Sequence, residues 1–242
     1  MYERELEATA AAMVAKGKGL LAIDESAPTC KKRFDSISVE STVENRRAYR
    51  ELLITVPGAA QFISGMILFD ETIRQSAADG TPFPAALKRQ GILTGIKVDA
   101  GAKKLADAPG EKVTEGLDGL RERLAEYRGM GASFAKWRAV ITIGEGIPSP
   151  YCLDANAHAL ARYAALCQEA GLVPVVEPEV LMDGKHTIER CFEATEATLR
   201  CVFNALYLQR VALEHMVLKA SMVISGSECP KRAGVEEVAK QT

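Results

Sequence analysis

Short runs rich in Val, Ile, Leu and Phe alternate along the chain with longer stretches in which apolar residues recur three and four positions apart. Runs of the first kind suit strands buried on both faces, and stretches of the second suit helices with one apolar face. Six strands are predicted, at 20–25, 62–69, 95–99, 133–143 (chiefly its first half), 173–180 and 216–224. Helical period marks 4–15, 43–55, 117–128, 153–170 and 187–213, as in the Leu160, Tyr163, Ala164 and Leu166 series. Gly129, Gly131 and Gly171 stand where a helix must stop before the next strand. Strands that alternate with helices in this way predict an α/β protein built on a parallel sheet.

Charge interrupts the apolar strands at a regular interval. Lys97, Lys136, Glu177 and Lys219 are separated by 39, 41 and 42 residues, and each has a second polar group two positions away: Asp99, Arg138, Glu179 and Ser221. Side chains at i and i+2 share one strand face, so the charges point together. A face of that kind cannot be packed under apolar helices without a large desolvation cost and must look into a polar cavity. In a (β/α)8 TIM barrel that place is the mouth at the C-terminal ends of the strands. Eight units at this spacing need roughly 320 residues, whereas 242 residues hold six. The expectation is therefore a single domain over 1–242, an incomplete barrel with only the first six βα units, whose last residues 234–242 read as the opening turns of a helix. An open doubly wound sheet is disfavoured, because Asp24-Glu25-Ser26-Ala27-Pro28-Thr29-Cys30 after the first strand is no glycine-rich phosphate turn.

Composition narrows the function classes. Thirty Lys and Arg against 32 Asp and Glu leave a net charge of −2 with no like-charge block, so no nucleic-acid partner is expected. Apolar runs such as Val173-Pro174-Val175-Val176 are far short of a membrane span, and no membrane partner is expected. The start, Met1-Tyr2-Glu3-Arg4-Glu5, is acidic where a signal peptide is basic and then apolar, which predicts a cytoplasmic protein with a plastid left open. Six cysteines without a C-x-x-C pair read as reduced thiols, and three histidines 28 and 29 residues apart predict no metal site.

The proposed mouth thus holds the cations Lys97, Lys136, Arg138 and Lys219 and the anions Asp24, Asp99, Glu177 and Glu179. Such a balanced set suits proton transfer, and it equally suits a structural charge network. Leu20-Leu21-Ala22-Ile23-Asp24-Glu25-Ser26, Gly95-Ile96-Lys97-Val98-Asp99, Phe134-Ala135-Lys136-Trp137-Arg138, Val176-Glu177-Pro178-Glu179 and Leu218-Lys219 together resemble the motifs, in order, of the class I fructose-bisphosphate aldolases. Cys30 after Ala27-Pro28-Thr29 is most similar to plant-type members. The resemblance implies a lyase that cleaves fructose 1,6-bisphosphate in glycolysis through a lysine Schiff base, with a sugar phosphate as partner, no cofactor and self-association left open. It implies Lys219 as nucleophile, made reactive by burial and by nearby Lys136, Glu177 as general acid/base, Asp24 as the group over the C4 hydroxyl and Lys136 as an aid to proton transfer. It further implies Lys97 and Arg138 as contacts of substrate oxygens, Glu179 as a group orienting the lysines, and Ser26, Lys32 and Arg33 near the distal phosphate. Lys219-Ala220-Ser221-Met222-Val223-Ile224-Ser225-Gly226 departs from the family's Lys-Pro-x-Met-Val-Thr-Pro-Gly. The readings left beside this one are an inactive truncated homologue acting only in binding or assembly, and another Schiff-base lyase on the same barrel.

Overall fold

The computed structural model describes residues 2–242. Its strands are β1 (Gly19–Ala22), β2 (Ile63–Leu68), β3 (Leu93–Lys97), β4 (Ala102–Lys104), β5 (Lys112–Thr114), β6 (Phe134–Ile141), β7 (Val173–Val180) and β8 (Val217–Leu218). Its helices are α1 (Glu3–Met13), α2 (Ala27–Asp35), α3 (Val43–Ile54), α4 (Asp70–Ile73), α5 (Phe83–Arg89), α6 (Leu120–Gly129), α7 (Pro150–Glu169), α8 (Ile188–Leu208) and α9 (Val235–Gln241). Six strands form one sheet in the order β1-β2-β3-β6-β7-β8, and β4 and β5 form a separate hairpin. The β1–β2, β2–β3, β3–β6 and β7–β8 pairs are parallel, each reached through a helical crossover. This is the α/β architecture of six successive βα units read from the periodicity. Among the described residues no helix is long and apolar enough to cross a membrane.

The chain forms two compact units. The first takes in the residues up to Val98 with Arg121–Lys136 and Cys167–Pro174, and the second Asp99–Leu120, Trp137–Leu166 and Val175–Thr242. In the first, Met66, Leu68, Ile96 and Phe134 are fully buried. Its strands curl: β1 and β6 are separated by β2 and β3, about 14 Å apart in a flat sheet at ~4.8 Å per strand, yet Asp24 just beyond β1 meets the Lys136 ammonium at 2.7 Å. The second unit has its own core, in which Ile141 and Ile143 pack with Cys152 and Leu153 of α7 and Ile188, Cys191 and Ala194 of α8.

Several element bounds differ from expectation, each for a local reason. β3 lies at 93–97 rather than 95–99, because the Asp99 carboxylate accepts the Gly101 N–H at 3.1 Å and turns the chain out of the sheet. β6 runs over 134–141, well past the first half of 133–143 to which the strand was expected to be chiefly confined. β8 is two residues long rather than nine: past Lys219 the backbone finds side chains in place of a ladder, with the N–H groups of Val223 and Ile224 bonded to Thr242 Oγ1 and Cys191 Sγ. Helices α2 and α5 lie in stretches for which the periodicity predicts no element. Both are short and open with proline, Pro28 in α2 and Pro84 in α5, which fits a helix start but leaves too few residues to show a period.

Candidate active site

One face of β6 grades from apolar to charged. Phe134 is fully buried, Lys136 nearly so, and Arg138 half-exposed at the strand's C-terminal side. β7 repeats the gradient through Val175, Glu177 and Glu179. Alternation places these residues on a common face of each strand, and the apolar first layer anchors the charged ones above it.

In the second unit, Lys219 leaves β8 with its N–H still bonded to the Val176 carbonyl at 2.9 Å. Its ammonium reaches the Glu177 carboxylate at 2.6 Å. The pair is asymmetric: the Glu177 side chain is 6% exposed and that of Lys219 is 48% exposed. Burial of Lys219 is therefore not what this structure shows, because the two-residue strand ends before it and its side chain stands at the rim. Glu179 engages the Arg138 guanidinium rather than a lysine. A cavity of about 500 Å³ is lined by Arg138, Glu177, Glu179, Lys219 and Ser221, among others. A primary amine beside a buried carboxylate at a cavity of this size can lose its proton to that carboxylate and attack an electrophilic carbon.

In the first unit, Lys136 pairs with Asp24 in buried surroundings. Lys97 lies opposite Lys136 in register on β3, so two lysines occupy neighbouring strand positions. The next residue along from Asp24, Glu25, has a buried carboxylate that takes the Arg50 guanidinium at 3.0 Å, the Tyr49 hydroxyl at 3.2 Å and the Arg33 guanidinium. Ser26 precedes α2 and contacts the Thr29 hydroxyl, Lys32 is exposed, and Arg33 is tied to Glu25. The structure thus gathers Asp24 with Lys136, Glu177 with Lys219, and Arg138 with Glu179. Ser26, Lys32 and Arg33 share the α2 segment without converging on one point.

All six cysteines are free thiols. Burial above all, and then the Glu111 charge, push Cys152 up to about 11, which leaves an inert thiol at neutral pH. Burial holds His186 below the usual imidazole range. Among the described residues no group of three or more His, Cys, Asp or Glu is arranged to hold a metal ion. Sequence reasoning missed Thr114, Asn156 and the Glu25–Arg50 pair. Nothing in a hairpin as short and lysine-rich as Ala102–Lys104 and Lys112–Thr114 marks Thr114 out, and the pairing of Glu25 with Arg50 spans 25 positions with no motif linking them.

Parallel βα units with lysines and carboxylates at the C-terminal ends of the strands are the features of a barrel enzyme. The family model for fructose-bisphosphate aldolase class-I matches residues 5–242. A protein of Xanthomonas campestris pv. campestris named probable fructose-bisphosphate aldolase class 1 is 66% identical over 242 residues, which is 100% of this chain and 72% of that protein. The fructose-bisphosphate aldolase, cytoplasmic isozyme, of Spinacia oleracea is 52% identical over 241 residues, covering 67% of its length. Among solved structures, the fructose-bisphosphate aldolase of Plasmodium falciparum, in complex with TRAP and a small molecule inhibitor, superposes with a TM-score of 0.97 at 47% identity, over 99% of this chain and 70% of that one. The chain belongs to the class I fructose-bisphosphate aldolase family.

Proposed function

We propose that the chain is a carbon–carbon lyase that cleaves fructose 1,6-bisphosphate reversibly into dihydroxyacetone phosphate and glyceraldehyde 3-phosphate, the glycolytic reaction of its family. The observation that carries this reading is the Lys219–Glu177 pair at the cavity. Glu177 takes a proton from the Lys219 ammonium, and the amine adds to the C2 ketone. The same carboxyl returns that proton to the C2 oxygen, then takes a second from the nitrogen of the adduct and delivers it to the same oxygen, which leaves as water as the iminium forms. Cleavage of C3–C4 then sends its electron pair into the iminium, giving an enamine, as a base takes the C4 hydroxyl proton and the aldehyde departs. Protonation at C3 and hydrolysis release the second product and restore the lysine. Asp24 is the base proposed for the C4 hydroxyl. Lys136, already bonded to Asp24, is proposed to assist this proton transfer.

Arg138 and Lys97 are proposed as contacts of substrate oxygens, and Ser26, Lys32 and Arg33 as contacts of the distal phosphate. Residues 1–242 are proposed to act as one barrel domain, since two of the boundaries between the two units fall inside the continuous strands β6 and β7. The cytoplasm is the proposed compartment. Relatives carry both cytoplasmic and chloroplastic names, the latter in Chlamydomonas reinhardtii. Borohydride reduction in the presence of dihydroxyacetone phosphate, followed by peptide mapping, tests the mechanism: the expected label is on Lys219, and a label on Lys136 or Lys97 overturns it.

A further inference from the structure

We propose that Thr114, which does not itself line the cavity, is a positioning residue for Arg138. The inference rests on the reading of Arg138 as a contact of the substrate. At Arg138, β6 has run past the end of β3: the bond from Val98 N–H to the Lys136 carbonyl, at 3.1 Å, comes after the last paired position of β3. The next backbone groups on that edge of β6 belong to Arg138 and would lack a ladder partner. Side chains from the connection between β3 and α6 supply both. The Asp99 carboxylate accepts the Arg138 N–H at 3.3 Å, and the Thr114 hydroxyl donates to the Arg138 carbonyl at 2.8 Å. The guanidinium itself is held by Glu179. Arg138 is therefore gripped at its N–H, its carbonyl and its side chain.

The grip is rigid because Thr114 is itself anchored. It is 3% exposed. Its N–H donates to Asn156 Oδ1 at 3.3 Å, and the Asn156 amide donates to the carbonyls of Lys112 at 2.8 Å and Cys152 at 3.0 Å, binding β5 to α7. A hydroxyl delivered from this frame substitutes for a neighbouring strand and keeps β6 extended where Arg138 turns to the cavity. Removing it leaves a partly buried carbonyl unpaired and frees the strand end.

The experiment compares Thr114→Val, Thr114→Ser, Arg138→Ala and the Thr114→Val/Arg138→Ala double variant in steady-state cleavage of fructose 1,6-bisphosphate, together with amide hydrogen exchange across residues 137–140. Thr114→Val is expected to raise KM about fivefold or more with kcat changed less than about twofold, and Thr114→Ser to restore KM, since only the hydroxyl is at issue. In the Arg138→Ala background Thr114→Val adds no further rise in KM, because the two act as one unit. Exchange at Arg138 speeds up in Thr114→Val and not in Thr114→Ser. An undiminished Thr114→Val effect on KM in the double variant, or unaltered exchange at Arg138, overturns the proposal. Normal kinetics in Arg138→Ala instead overturns the role of Arg138 as a substrate contact, and the exchange result then decides alone whether Thr114 positions it. If Thr114→Val does not fold, Thr114→Ala takes its place with the same expected outcomes.

Discussion

Gly95 shows how much one position can decide. A Cβ built on it would lie 2.2 Å from the Phe134 ring, and one built on Gly65 2.9 Å from the same ring. The Phe134 ring, the apolar layer beneath Lys136, therefore lies directly against the backbones of β2 and β3, which only residues without a side chain allow. Gly95→Ala is expected to destabilise the protein by about 1–3 kcal/mol or more, the range for overpacking a core. Phe134→Leu combined with it should recover part of the loss, because a smaller side chain reopens the space. Denaturant melts of the single and double variants check this, and a Gly95→Ala protein of unchanged stability would refute the packing argument. Neither glycine carries a motif that announces this role. Gly95 was legible as part of the Gly95-Ile96-Lys97-Val98-Asp99 run, but the ring that requires it lies 39 positions further on.

Among the elements, α3 illustrates both local and tertiary control. Thr42 precedes it in extended conformation and its hydroxyl accepts the Asn45 N–H at 3.0 Å, an N-cap formed by residues three apart. Thr42→Ala should lose about 1 kcal/mol, readable as a lower denaturant midpoint at unchanged slope, with Thr42→Ser retaining most of the stability. The same helix is joined to α4 by Arg46, whose guanidinium grips Glu71 with two hydrogen bonds of 2.8 and 2.7 Å. These bonds, outweighing partial burial, hold the Glu71 carboxyl below its ordinary value of 4.5. A folded-state value below the unfolded one means that the contribution is complete above about pH 4.5 and is lost as pH falls through the folded-state value. Glu71→Gln should therefore cost about 1–2 kcal/mol near pH 7, or about 3–6 °C in melting temperature. The wild-type advantage should shrink in melts recorded from pH 5 down to pH 2.5, and an offset that does not vary with pH would show that the ion pair is not its source. Long helices and strands such as β7, observed at the predicted 173–180, were legible because many residues repeat one period. Helix α5 and the β4–β5 hairpin were not, since three to seven residues carry too little pattern and their partners lie elsewhere in the chain.

For the whole molecule, the proposed electron sink is an amine of the chain itself. Turnover should accordingly be unchanged in excess EDTA, and a loss of activity restored by zinc would move the protein to a metal-dependent mechanism. The recurrence of Lys97, Lys136, Glu177 and Lys219 near every fortieth residue was enough to reveal successive βα units and the strand ends that carry charge. That inference works because strand alternation and unit length are local properties, repeated six times and readable without knowing any contact. Which charge meets which was not readable. Glu177 reaches Lys219, 42 positions away, while Glu179, two residues further along the same strand, takes Arg138. Asp24 meets Lys136 because the sheet curls across two intervening strands. The strand ends, too, were decided in three dimensions: β3 stops where Asp99 turns the chain, and β6 continues because Asp99 and Thr114 stand in for the missing neighbour. Periodicity determined the repeating units and the face that bears charge, whereas ion pairing and backbone satisfaction depend on distances between groups that are remote in the chain, which only the folded sheet brings within hydrogen-bonding reach.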